Sequence, residues 1–399
     1  MNFSFAEVTN KNLRTRPESG EHGLNVNSNP FIFGPERNIS YGWNWLGDNE
    51  TEIWNNRNMA HFAFGSVCVG RHGELYYVFR KGFDHGVSVS QDSPFYHIGG
   101  DLYYTVSSDF GETWADPVMF LEHTSGRDLR DVTLSYYPDH DMYVLIYEDC
   151  DIDYSNHSGT LHIMSTPNLA RPRSADHILD PFPISNMQEW TLPTADMHTN
   201  LNQTFSRLVP LGSYFYLPFY GTSDGTNFGA GVLRFTRGVV GLPTSEVLKK
   251  WDVDGSNEVT FFLTPAGEGI IRFNVIFRGG GENNTGDNAM ISYSDDYGAT
   301  WSAKTDLGFN AAGGPQVFDL NGVFMLVARD QYASNINYTY AMFSTDGQEW
   351  ENRIILSSNG TSYASIAHLN NGKTLLFYSK ELSKSIICMR EIYSVPQIA

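Results

Sequence analysis

Three arginines interrupt apolar stretches of this 399-residue chain: Arg57 in NRNMAHFAF, Arg278 in NVIFRGGG and Arg329 in MLVARDQ. Singly, each reads as a charge snorkelling to the surface or as half of a salt bridge. At matching positions of a repeated unit they read differently. Three converging guanidiniums need an anionic partner, and a ligand carboxylate suits their planar forks.

Matching positions require a repeat, and the turns supply one. SSDFGETW, from Ser107 to Trp114, and SDDYGATW, from Ser294 to Trp301, share the pattern S-x-D-x-G-x-T-W; STDGQEW, from Ser344 to Trp350, is a shortened copy. The Asp accepts hydrogen bonds from backbone two residues on, the Gly takes a positive φ, and the Trp closes the turn with an apolar face. The copies begin 294 − 107 = 187 and 344 − 294 = 50 residues apart. The short interval is the length of one four-stranded propeller blade, roughly 40–50 residues.

Between the turns run short stretches of β-formers such as ELYYVFR, DMYVLIYED, YFYLPFYG and GVFMLVARD, broken by Gly, Asp, Asn and Pro. They predict an all-β, six-bladed β-propeller over residues 51–399. Its units are 51–118, 119–180, 181–245, 246–308, 309–355 and 356–399. Residues 1–50 form a polar N-terminal segment able to supply a ring-closing strand. No segment sustains an amphipathic helix, and only Ser245 to Trp251 could form one helical turn.

Composition narrows the function. Aromatics make up 14% of residues, with 26 Phe and 22 Tyr, which favours strands. A formal charge of −19 argues against nucleic acid, whose phosphates require clustered Lys and Arg. Cys68, Cys150 and Cys388 give no disulfide framework. The histidines show no paired metal-ligand spacing, so neither metal nor cofactor is expected. The start lacks a basic region followed by an apolar run, and no window approaches the ~18 apolar residues of a membrane span. A cytoplasmic or virion-associated protein is the expectation.

From about Arg57 to Tyr393 the chain resembles the sialidase (neuraminidase) superfamily, six-bladed propellers with Asp-box (BNR) turns and an arginine triad on the sugar carboxylate. The resemblance implies that Arg57, Arg278 and Arg329 are that triad, although RNMA here lacks the proline usual after the first arginine. It implies that Tyr363 in SYASIAHLNNGK is the nucleophile and that Glu258 in NEVTFFL is its base. Asp84 in FRKGFDHG fits the acid/base aspartate best, with Asp92 and Asp101 as alternatives. Arg80 is either a fourth basic group of the site or the salt-bridge partner of Asp84.

These residue types suit one chemistry. A 2-keto sugar acid carries its carboxylate on the anomeric carbon, so a carboxylate nucleophile would approach against like charge. A tyrosine hydroxyl avoids that repulsion once Glu258 takes its proton. Asp84 would protonate the leaving oxygen and then activate water. The expected partner is a sialic-acid-like glycan or a bacterial surface polysaccharide. Two rival readings remain: a non-catalytic carbohydrate-binding propeller, such as a phage tail receptor-binding protein, and a polysaccharide-cleaving relative on the same fold.

Overall fold

A computed structural model describes residues 31–40, 61–82, 99–152, 158–167, 169, 182–225, 227–236, 243–251, 257–267, 269–278, 288–330, 338–358, 363–381 and 385–394. Nearly all regular structure among them is β-strand. The helical pieces are single 3-10 turns such as Pro138–His140.

Four separate antiparallel sheets account for most of the chain. The first contains Arg127–Tyr137, Met142–Asp151, Gly159–Thr166 and Gln188–Glu189. In the next, Tyr214–Thr222, Phe228–Thr236 and Thr244–Trp251 follow an inner strand split into Leu201–Gln203 and Val209–Leu211. A third runs Asn257–Pro265, Ile271–Arg278, Met290–Ser294 and Thr305–Asp306. The fourth runs Ala312–Asp319, Phe324–Asp330, Tyr338–Ser344 and Glu351–Ser358.

A nine-stranded sheet holds the two ends of the chain. One part is His61–Val69, Leu75–Gly82, Asp101–Ser107 and Val118–Leu121. The other is Ser365–His368, Thr374–Glu381 and Ser385–Ser394, with Phe31–Phe33 and Arg37–Asn38 added along its last strand. A single parallel pair, Ser385 with His61, joins the two parts.

Apolar packing runs around the molecule without a break, in a propeller-like arrangement. Val78 and Tyr104 meet Leu134 and Leu145, and Ile163 and Trp190 meet Phe215 and Phe235. Tyr216 stacks on Phe261. Further on, Ile276 packs with Leu326, Val327 with Ile366 and Leu376, and Phe377 with Tyr77. Strands buried on both faces read as near-continuous apolar runs, which explains stretches such as LYYVF.

The three S-x-D turns are built alike. Asp109 accepts from Ser107 Oγ at 2.8 Å and from the Thr113 N–H at 2.9 Å. Asp296 accepts from Ser294 Oγ at 2.7 Å and the Thr300 N–H at 2.8 Å. In the shortened copy Asp346 accepts from Ser344 Oγ at 2.9 Å and the Gln348 N–H at 2.8 Å. Each tryptophan packs against an aromatic ring of another strand: Trp114 on Phe377, and, on the preceding sheet, Trp301 on Trp251 and Trp350 on Phe262.

Two sequence expectations are corrected here. Ser245 to Trp251 belongs to the strand Thr244–Trp251, not a helical turn, because Phe228–Thr236 offers it a ladder. The boundaries at 118 and 245 cut through the outermost strands Val118–Leu121 and Thr244–Trp251. Gln188–Glu189 likewise pairs backward across the boundary at 180. Outer strands bury little, so their patterning is faint.

Candidate active site

The site residues stand where the inner strands break register. Asn257 pairs with Arg278 and Val259 with Phe277, so Glu258 is an extra residue, at φ 45°. The same irregularity places Phe64 at φ 53° between Ala63 and Ser66, and Asp131 at φ 48° between Arg130 and Thr133. Gly313 and Gly314, both at φ 64°, break the pairing between Ala312 and Gln316. Tyr363, at φ 37°, precedes the inner strand Ser365–His368. A β-bulge re-aims one side chain, and non-glycine residues at positive φ cost of order 1–3 kcal/mol each, which marks sites where the surrounding fold enforces them.

On each neighbouring strand, the residue opposite the start of the irregularity is charged. Arg80 stands opposite Ala63, Glu148 opposite Arg130, Arg278 opposite Asn257 and Arg329 opposite Ala312. Register thus puts Arg278 and Arg329 at equivalent positions, together with Arg80 and Glu148.

Tyr363 and Glu258 meet at the centre. The tyrosine hydroxyl donates to Glu258 Oε1 at 2.8 Å. Glu258 Oε2 accepts from Arg278 Nη1 at 2.7 Å and from the Gly314 N–H at 2.9 Å. Burial would raise the glutamate pKa, but Arg278, the Gly314 amide, Tyr363 and Arg329 together hold it below the ordinary value. Burial and the charges of Glu258 and Asp131 push the Tyr363 phenol well above its ordinary value, against the pull of Arg329 and Arg278. The pair is thus a neutral phenol donating to an ionised carboxylate, the state required for proton transfer between them. The Tyr363 ring sits edge-on between Phe64, centroids 4.9 Å apart, and Phe205, 5.7 Å apart. Arg278 has its buried Nε without a hydrogen-bond partner among the described residues.

Gly314 shows why the turn AAGGPQ is written with glycine. A Cβ there would lie 2.6 Å from the Tyr363 ring, and φ 64° disfavours any side chain.

Sequence reasoning missed the second half of the cluster. Asp128 binds Arg80 through two bonds, Nε to Oδ1 at 2.8 Å and Nη2 to Oδ2 at 3.0 Å, and Arg130 Nε lies 2.9 Å from Oδ2. Arg80 is therefore the salt-bridge partner of Asp128, fixed beside the site. Asp131 faces the field of Arg130, Glu258, Asp128 and Arg80; burial lifts it to about 7. Glu148 is raised well above its ordinary value by burial and by Asp131, while Gln203 Nε2 donates to it at 2.6 Å. The signal was RDVTLSYY, two charges opening an apolar strand, as NEVTFFL opens another.

Asp101 accepts from the His123 N–H at 2.9 Å and lies 2.6 Å from His123 Nδ1. Arg57, Asp84 and Asp92 lie outside the described residues.

The sequence matches no family model and no curated protein. Solved structures match its fold. A protein of unknown function from Dyadobacter fermentans aligns with TM-score 0.62 at 14% identity, over 92% of this chain and 99% of that one. A Hadza microbial sialidase aligns with TM-score 0.58 at 11% identity, over 85% of this chain and 66% of that one. The intramolecular trans-sialidase of Ruminococcus gnavus gives TM-score 0.55 at 10% identity, over 85% and 96%. Trypanosoma rangeli sialidase gives 0.56 at 9%, over 84% of this chain and 55% of its own. The fold is sialidase-like.

Proposed function

We propose that this chain is an exo-acting retaining glycosidase that releases a terminal sialic acid or a related 2-keto sugar acid. The observation that carries the reading is the hydrogen bond from the Tyr363 hydroxyl to Glu258, whose other oxygen is held by Arg278 and the Gly314 amide. The reading takes the ring as six blades, the nine-stranded sheet being two blades joined at Ser385 and His61, and the S-x-D turns as Asp boxes.

In this mechanism Arg278 and Arg329, with Arg57, grip the sugar carboxylate. Tyr363 attacks the anomeric carbon as Glu258 takes its proton, and the C–O bond to the aglycone breaks as Asp84 donates a proton. Water, deprotonated by Asp84, then attacks the anomeric carbon; the tyrosyl oxygen leaves and recovers its proton from Glu258.

A panel of fluorogenic 2-keto sugar acid glycosides (sialic, deaminated and pseudaminic-type) tests the proposal. Turnover of at least one is expected, and Tyr363→Phe should lower kcat by at least ~100-fold while the fold and ligand binding persist. Binding without release by the wild type would mark a carbohydrate-binding propeller instead.

A further inference from the structure

Among the described sheets, one inner strand leaves its ladder outright. Gln203 pairs with Tyr220, and pairing resumes only at Val209 with Tyr216. The excursion Thr204 to Leu208 passes the stretch of the neighbouring strand that contains Pro218, a residue that has no N–H to offer an inner partner. The sequence YFYLPFYG carries that signal.

The excursion touches five other strands. Arg207 donates through Nη2 to the Val67 carbonyl and through Nη1 to that of Ile366 at 3.4 Å. The Ser206 carbonyl accepts from Thr133 Oγ1 at 3.5 Å, and Ser206 Oγ donates to the Val259 carbonyl at 3.4 Å and accepts from Gln316 Nε2 at 3.4 Å. Each contact falls one to three residues past a residue at positive φ: Val67 after Phe64, Thr133 after Asp131, Val259 after Glu258, Gln316 after Gly314 and Ile366 after Tyr363. Phe205 meanwhile turns its ring to Tyr363 and to Tyr220.

We propose that Thr204 to Leu208 forms an axial plug that positions the reacting tyrosine. Arg207 ties the strand bearing Phe64 to the strand that follows Tyr363, and the Val67 N–H donating to Ser365 Oγ at 3.0 Å adds a second tie. Ser206 ties the strands bearing Asp131, Glu258 and Gly314, and Phe205 with Phe64 clamps the tyrosine ring. The guanidinium fork suits the task because it reaches carbonyls on two strands at once, which an ammonium does with less directional control. Among the described residues its partners are those carbonyls and no carboxylate, which is the bonding of a strut. Its charged donors make Arg207 the stronger tie, and Ser206 the weaker. The inference rests on Tyr363 as nucleophile; Arg207 acts through it and touches no substrate.

Full-length Arg207→Met, Arg207→Lys and Phe205→Leu test the plug, each carrying 3-fluorotyrosine at position 363. Arg207→Met should lower kcat at least ~30-fold, an offset of a fraction of an ångström at the nucleophile, with KM within ~3-fold of wild type. Arg207→Lys should recover part of kcat, and the fluorine resonance of residue 363 should shift or broaden in Arg207→Met and return toward wild type in Arg207→Lys. If Arg207→Met fails to fold, Phe205→Leu is read by the same two measurements and should show the same pair of effects. A folded variant whose residue-363 resonance stays at the wild-type position overturns the proposal, as does a loss confined to KM. If the wild type releases no sugar, the glycosidase reading fails and the fluorine resonance alone decides the plug.

Discussion

In the proposed mechanism Tyr363 and Glu258 divide the chemistry by holding opposite protonation states against opposite pressures. The glutamate is kept ionised by Arg278 and an amide, and the phenol is kept neutral by burial and by that same glutamate. Asp131 has the reverse bias, lifted to about 7, and Glu148 moves in the same direction. An unfolded Asp131 releases its proton near the ordinary carboxylate value; the folded one retains it to about 7. Between those limits the folded state binds more protons, so this contribution to stability is complete below the ordinary value and is lost as pH rises to 7. Melting temperature followed from pH 4.5 to 7.5 should fall more steeply for wild type than for Asp131→Asn. Parallel curves would contradict the raised pKa.

At the scale of the element, bulges decide what the strands present. Arg278 in NVIFRGGG and Arg329 in MLVARDQ stand out in the sequence because each charge interrupts an apolar run, whereas Glu258 in NEVTFFL was matched only through the family resemblance. Bulges were not legible, since a period-two pattern assigns faces and says nothing of one inserted residue. Asp131 was missed for that reason, and so was the AAGG turn, whose glycines are required by what lies opposite. Gly314→Ala places a methyl group 2.6 Å from the Tyr363 ring and costs about 1–2 kcal/mol for the positive φ alone. With Tyr363 as the proposed nucleophile, activity should fall ~100-fold, the expected result of displacing it by about 1 Å. Wild-type kcat in a folded Gly314→Ala protein would show that the tyrosine tolerates movement.

Across the whole molecule, closure depends on the ends of the chain. The S-x-D turns were legible because their hydrogen bonds are local, whereas pairing of Phe31–Phe33 and Arg37–Asn38 with Ser385–Ser394 has no local signal. Phe31 is buried against Phe343, and Glu36 accepts from Tyr378 at 2.7 Å and Lys380 at 2.9 Å. Phe31→Ala should cost ~3 kcal/mol and raise amide exchange in Ser385–Ser394 before Met142–Asp151. Uniform loss of protection would instead mean that the ring opens everywhere at once.

The central claim is that a tyrosine, not a carboxylate, bonds to the sugar. If the protein has the proposed activity, a 2,3-difluoro analogue of the 2-keto sugar acid it releases tests the claim most directly, because fluorine at C3 slows loss of the glycosyl group and lets a covalent intermediate accumulate. After incubation, digestion and mass spectrometry, the account predicts a glycosyl adduct on Tyr363, absent in Tyr363→Phe. An adduct on an aspartate or glutamate side chain, with Tyr363 unmodified, would contradict it.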